Sequence, residues 1–235
     1  MFEIFILSII QGVTEFLPIS SSSHLIIVSN FIEFKNQGLQ LDVSLHIGSF
    51  LAVIIYFYRD IVNFVKNKNL FLKIILSSIP VMIVGYLLIR LDLIDNLRNL
   101  KIIGWMTIIF GLLLFLGDKF KINKKLDNNF TFKSAFFIGI FQIFSLIPGV
   151  SRSGVTITAA RMLNFNRYDS AKISFLLSIP TLAAVSFFGI KNLVVTNNLD
   201  LSILNFFFIF LSFLFSYLTI KFFLRYIKKF SLTVF

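Results

Sequence analysis

The sequence predicts an all-α polytopic membrane protein built from two inverted repeats, each opening with a re-entrant helical hairpin. Three observations carry that expectation. The 235 residues are 57% hydrophobic and 14% charged, with mean hydropathy +0.90; a soluble domain carries about 25% charged residues. Uncharged apolar runs recur at 43–58 (containing only His46), 74–89, 102–117, 136–151, 173–190 and 201–220. With flanking residues most of these reach the roughly 20 residues that cross a bilayer core. Period-2 alternation, the mark of a membrane barrel, is absent, so helices must satisfy the backbone in lipid.

The basic residues orient the helices. Residues 59–73 hold four Lys and Arg, 119–133 five, 161–172 three and 221–229 four, sixteen in all. The alternate connections hold five: Lys35; Arg90, Arg98 and Lys101; Lys191. The richer set belongs in the cytoplasm by the positive-inside rule. Arg152 falls in neither set.

A consistent path follows. Residues 1–33 enter from outside and return outside, broken near "LPISSSS". Helices at about 42–58, 70–90 and 101–117 cross three times and end inside. Residues 134–160 leave the cytoplasm and return to it, broken near "IPGVSRSG". Helices at about 172–191 and 202–225 go out and back, making about five crossings. Pro18 and Pro148 mark the two breaks, because proline removes a donor and clashes with the preceding turn.

The halves also look alike. "QGVTEFLPIS" resembles "QIFSLIPGVS", placing Gln11 against Gln142 and Pro18 against Pro148. "LHIGSFLAV" (45–53) aligns with "LSIPTLAAV" (177–185) at an offset of 132. The whole chain, 1–235, reads as one integral membrane domain. Repeat 1 covers about 1–118 and repeat 2 about 134–226, the second lacking a final helix. Inverted repeats with broken helices are a known way to build a site near the midplane.

Composition excludes several classes. The net charge of +11 reads as loop charge that orients the protein, so no nucleic-acid partner is expected. Cysteine is absent, which rules out disulfides, thiolate metal sites and a cysteine nucleophile. The N-terminus lacks the basic region of a cleavable signal.

Ionisable groups at membrane depth are costly and are functional candidates by default. Gln11 and Glu15, four apart, share a helix face; the plainer alternative is a polar pair bridging helices. After Pro18 come Ser20, Ser21, Ser22, Ser23 and His24. Single serines there suit helix capping; the run together with His24 suits chemistry. In "PGVSRSGVT" (148–156), Arg152 lies between Ser151 and Ser153. Its planar fork suits carboxylate or phosphate, and a following half-helix aims N–H groups at the same anion. Glu15 is the alternative partner, as a structural counter-ion. Acid, cation, histidine and hydroxyls at one point fit phosphate chemistry.

"QGVTEFLPISSSSH" and "PGVSRSGVT" resemble the two signature motifs of the undecaprenyl-diphosphate phosphatases, the bacitracin-resistance family. "LDVSLHIGSFLAVIIYFYRD" (41–60) and "SFLLSIPTL" (174–182) are similar as well. The resemblance implies hydrolysis of undecaprenyl diphosphate to undecaprenyl phosphate, the carrier lipid of peptidoglycan synthesis, in the bacterial cytoplasmic membrane with the site facing the periplasm. Carried over by position, it implies catalytic roles for Glu15, Ser21, His24 and Arg152. It implies phosphate binding by Ser151, Arg152, Ser153 and Thr156. A divalent cation, Mg²⁺ before Ca²⁺, is expected on Glu15 and Gln11. The nucleophile is expected to be either Ser21, activated by His24, or a water that His24 activates directly. The expected partners are the bilayer and a polyprenyl diphosphate lipid, and a homodimer is compatible with them. One departure is the final apolar helix of the family, which has no counterpart after "KFFLRYIKKFSLTVF". The competing reading is a transporter or lipid-phosphate flippase with a midplane anion site.

Overall fold

A computed structural model describes residues 2–32, 39–66, 68–91, 93, 99–120, 124–195 and 203–235. The helices are α1 (Phe2–Thr14), α2 (Ser21–Ile32), α3 (Leu39–Tyr56), α4 (Tyr58–Lys66), α5 (Lys68–Arg90), α6 (Leu100–Asp118), α7 (Phe132–Gln142), α8 (Arg152–Met162), α9 (Arg167–Val195) and α10 (Ile203–Tyr226). Short helical turns occupy Leu126–Asn129, Ile143–Leu146 and Leu232–Val234. Among the described residues the one β-bridge joins Lys124 and Phe165. Lys35 and Arg98 of the outer charge count lie outside the described residues.

Among the described residues, four helices are long and apolar enough to cross a membrane: Lys68–Arg90, Leu100–Asp118, Arg167–Val195 and Asn205–Tyr226. Phe5–Thr14, Leu41–Tyr56 and Phe132–Leu146 are apolar but shorter. Of the five crossings expected from sequence, the one at 42–58 is therefore the short one. Its apolar run is divided at Phe57, which is buried with its ring 6.2 Å from that of Phe175. The chain then continues as α4, pinned to α9 by Lys172 Nζ on Asp60 Oδ1 at 2.7 Å.

α3 packs against both α9 and α10; α1 lies on α10, and α7 on α5. α8 is wedged among α6, α7 and α9. Small residues set how closely these helices approach, as in lipid, where packing rather than water exclusion drives association. A Cβ on Gly12 would come within 2.5 Å of Phe215 Cβ. One on Gly48 would strike the Ile209 carbonyl, and one on Gly139 the Ser77 carbonyl. Beside Gly48, the buried Ser49 hydroxyl meets Ser216 Oγ at 2.9 Å and Ser212 Oγ at 3.2 Å, and Ser212 donates to the Leu45 carbonyl at 2.6 Å. Large apolar side chains such as Ile83, Leu87, Ile108, Leu112 and Phe187 face outward. Polar groups inside and hydrocarbon outside is the arrangement lipid requires.

One end of the bundle is tied together by Asp118, the last residue of α6. Its carboxylate accepts two bonds from Arg167, Nε at 2.7 Å and Nη2 at 2.8 Å, and a third from the Leu232 N–H at 3.0 Å. Arg161, fully buried, donates to the carbonyls of Phe165, Asp118 and Phe120 at 2.7, 2.8 and 3.1 Å, with its Nε 3.4 Å from Asp118 Oδ1. The charge count treats Arg161 and Arg167 as solvated loop residues; packing instead makes them a clamp joining α6, α8, α9 and the last turn.

Asp118→Ala leaves Arg161 and Arg167 without their carboxylate. Removing one partner of a buried pair costs about 3–5 kcal/mol, so thermal unfolding in detergent should move to clearly lower temperature. Asp118→Asn, which keeps an acceptor for Leu232, should lose less. Equal midpoints for all three proteins would show that the clamp adds no stability.

Candidate active site

The two proline breaks meet. α1 ends at Thr14, and residues 15–18 turn. α7 gives way to the turn Ile143–Leu146 before Pro148. Gly149 then adopts φ +100°, in the left-handed region, and a Cβ there would lie 2.6 Å from the Ile103 carbonyl. Conformation and space both demand glycine at that point. Its own carbonyl accepts from Thr107 Oγ1 at 3.3 Å.

Broken helices expose backbone groups that need partners. The Leu17 carbonyl, which takes the Ile19 N–H at 2.7 Å within the turn, also accepts hydroxyl hydrogens from Ser153 and, at 3.4 Å, Ser151. Ser151 also caps α8, its Oγ accepting from the Gly154 N–H at 3.1 Å. Ser20 does the same for α2: its Oγ accepts from Ser23 N at 3.4 Å and Ser23 Oγ at 2.9 Å. Two helix N-termini, with their unspent N–H groups and positive dipole ends, therefore flank one spot.

Glu15 occupies that spot. Its side chain is 7% exposed. Oε1 accepts from Arg152 Nη2 at 3.2 Å; Oε2 accepts from Gln11 Nε2 at 3.0 Å and from Ser21 Oγ at 2.9 Å. The ion pair uses a single Arg152 nitrogen, and no other acceptor for Arg152 appears among the described residues. Most of its five N–H donors remain for a second anion.

Gln11 reaches further. Its Nε2 also stands 3.1 Å from His46 Nδ1 on α3. Both amide hydrogens are thereby used, and Oε1 is buried with no partner. Leaving such an acceptor bare costs about 1–3 kcal/mol. A hard cation beside Glu15 would satisfy it. The donor set fits: one carboxylate and one amide oxygen, with the remaining positions left to phosphate and water, is a usual Mg²⁺ environment. Among the described residues no group of three His, Cys, Asp or Glu gathers to form a protein-only cage.

The structure thus brings Gln11, Glu15, Ser21, Arg152, Ser151 and Ser153 to the junction of the breaks. Two sequence candidates sit otherwise. His24 lies one turn after Ser21, exposed, with Nδ1 donating to the Ser20 carbonyl at 2.7 Å. That bond leaves Nε2 as the basic nitrogen; Ser21 pairs with Glu15 and not with His24. Thr156 is fully buried, and its hydroxyl faces the Arg152 carbonyl at 2.8 Å and Ser174 Oγ at 2.7 Å. It points into the α8–α9 contact, away from Glu15. His46 was missed: in sequence it is a lone histidine in an apolar run, and its one signal is that it interrupts "SLHIGSFLAV".

Comparison with known proteins finds a family and several relatives. The family model described as bacitracin resistance protein BacA matches residues 4–235. Undecaprenyl-diphosphatase of Pelagibacter ubique (strain HTCC1062) is 53% identical over 234 residues, covering 99% of this chain and 91% of its own length. That of Aliivibrio salmonicida (strain LFI1238) is 41% identical over 253 residues, covering 100% and 92%. That of Erythrobacter litoralis (strain HTCC2594) is 34% identical over 271 residues, covering 99% and 93%.

The buried Thr156 hydroxyl gives a test of its placement. Thr156→Val keeps the volume and removes the bond to Ser174, so it should lower thermal stability by about 1–3 kcal/mol. Thr156→Ser, which keeps the hydroxyl, should hold most of it. If Val and Thr unfold together, the hydroxyl is not committed to Ser174.

Proposed function

The chain belongs to the bacitracin resistance protein BacA family, and from that premise we propose that it hydrolyses undecaprenyl diphosphate to undecaprenyl phosphate and inorganic phosphate. It is a multi-pass membrane enzyme that returns a lipid carrier to peptidoglycan synthesis and confers bacitracin resistance. The observation that carries the reading is the single-contact Glu15–Arg152 pair at the meeting of two helix N-termini. It is an anion site with donors to spare.

In this reading the terminal phosphate sits against the remaining Arg152 donors and the first N–H groups of α2 and α8. Phosphoryl transfer asks little covalent work of a protein; position and charge neutralisation supply most of the effect. Glu15 and the Gln11 carbonyl oxygen would hold Mg²⁺, with Ca²⁺ as the substitute. When bound, the cation neutralises charge on the diphosphate oxygens. Attack on the terminal phosphorus breaks its bond to the bridging oxygen and expels undecaprenyl phosphate, by one of two routes: Ser21 attacks and water then hydrolyses the phosphoserine, or water attacks directly. Ser21 is favoured by its hydroxyl already donating to Glu15 Oε2, the group that would take its proton. Water is favoured by the basic Nε2 that the Ser20 carbonyl leaves on His24. Ser21→Ala stops the first route and leaves the second.

The reading also gives an orientation. With the basic connections inside, α6 runs from Leu100 outside to Asp118 inside. Gly149 lies against Ile103, and Thr158 against Gly117. The second break is thus about 22 Å above the inner end of α6, at 1.5 Å per residue. A hairpin rising that far from the cytoplasmic side supports a re-entrant path and a site open to the periplasm. The pairings of α1 with α10 and α7 with α5 support inverted repeats.

Purified protein in detergent should release phosphate from a prenyl diphosphate and stop when a chelator is added. Arg152→Lys keeps the charge and loses the fork. It should fold yet turn over ~10²-fold more slowly, taking about 3 kcal/mol for a lost preorganised donor. Arg152→Ala should be slower still and less stable, because Glu15 is left buried without its cation. Normal turnover by Arg152→Lys would make Arg152 a structural counter-ion and return weight to a transporter.

Orientation is read by labelling, which is clean because the chain has no cysteine. An impermeant thiol reagent on whole cells should reach a cysteine at exposed Asn192 and not one at exposed Asn128. The opposite pattern would invert the protein.

A further inference from the structure

The Gln11 amide nitrogen stands between two acceptors, Glu15 Oε2 at 3.0 Å and His46 Nδ1 at 3.1 Å. An amide nitrogen carries two hydrogens and its oxygen none. A carboxylate offers only lone pairs, so Glu15 requires the nitrogen end of Gln11 to face it. The second hydrogen then points at His46, whose Nδ1 accepts it with the ring proton on Nε2. Between them the two acceptors fix the rotation of the amide. The carbonyl oxygen is fully buried, cannot bond to either acceptor, and takes no hydrogen-bond partner among the described residues.

The imidazole is itself held in place. His46 lies on α3 between Leu45, whose carbonyl accepts from Ser212, and Gly48, which abuts the backbone of α10. Ser49 completes the seam with Ser212 and Ser216. The ring therefore stands beside a close contact between α3 and α10.

We infer that His46 is a positioning residue of the cation site: by accepting the second hydrogen of Gln11 Nε2, it presents the Gln11 carbonyl oxygen to a divalent cation beside Glu15. The inference rests on the cation reading above. Without an acceptor at His46 the amide is held from one side only, can rotate about its last torsion, and ceases to be a preorganised oxygen donor. Partners that orient a metal ligand in this way change metal affinity by roughly 10–100-fold.

The test uses the full chain in detergent with Mn²⁺ alone, followed by electron paramagnetic resonance, and with Mg²⁺ followed by the shift in thermal unfolding. The unaltered protein should bind Mn²⁺ saturably. His46→Ala should weaken binding by about 10-fold or more, with a smaller Mg²⁺ shift. His46→Asn places an amide oxygen where Nδ1 stood and should recover most of the affinity. In turnover assays the change should fall on the Mg²⁺ concentration for half-maximal rate more than on the rate at saturation. If His46→Ala does not fold, His46→Leu fills the space without an acceptor and is compared with His46→Asn. Equal Mn²⁺ affinity in the Leu or Ala variant and the unaltered protein overturns the role of His46 and leaves the cation reading standing. No Mn²⁺ binding by the unaltered protein sinks both.

Discussion

Two interrupted helices inside an apolar bundle are tolerable because each interruption satisfies the other. An unpaired backbone carbonyl or a lone guanidinium in such surroundings is strongly unfavourable. Leu17 offers the carbonyl, and Ser151 and Ser153 supply the hydroxyls. Glu15 offers the negative charge, and Arg152 answers it. The arrangement of the other helices follows from keeping those two breaks in register. α1 is held on α10 and α7 on α5 through glycine and serine contacts that leave little room for sliding.

The same constraint explains why the site can act. A carboxylate and a guanidinium locked in a two-pronged bridge would leave fewer donors for a ligand. Here one prong is made, and the second carboxylate oxygen is occupied by Gln11 and Ser21. In the proposed reading the pair survives burial and still leaves Arg152 donors for an arriving phosphate. In the proposed mechanism the catalytic side chains are also the structural keystone, so at Glu15 activity and stability should change together.

Much of this was legible from residue order. Long apolar runs fixed α5, α6, α9 and α10 to within a few residues, because the bilayer imposes length and polarity together. Pro18 and Pro148 marked the breaks, and Arg152 stood out because no loop could claim it. What was not legible depends on direction within a packed interior. Thr156 follows Arg152 by one helical turn, which suggests a shared ligand; its hydroxyl is drawn instead to Ser174 across the α8–α9 contact. Ser21 precedes His24 by three residues, which suggests a pair; the kink at Pro18 folds Ser21 back to Glu15. Arg161 looks like any cytoplasmic arginine until three carbonyls converge on it. His46 is invisible because its partner is 35 residues earlier on another helix.

The span between Glu15 and Arg152 has a consequence for biosynthesis. They are 137 residues apart, and at about 5–20 residues per second a ribosome needs roughly 7–27 s to make the second after the first. Through that interval the opening hairpin must persist at the translocon without the charge that will neutralise it. Gln11 offers a temporary companion: it donates to Glu15 across a single helical turn, a contact available as soon as α1 coils. A local hydrogen bond thus chaperones the acid until its distant cation emerges.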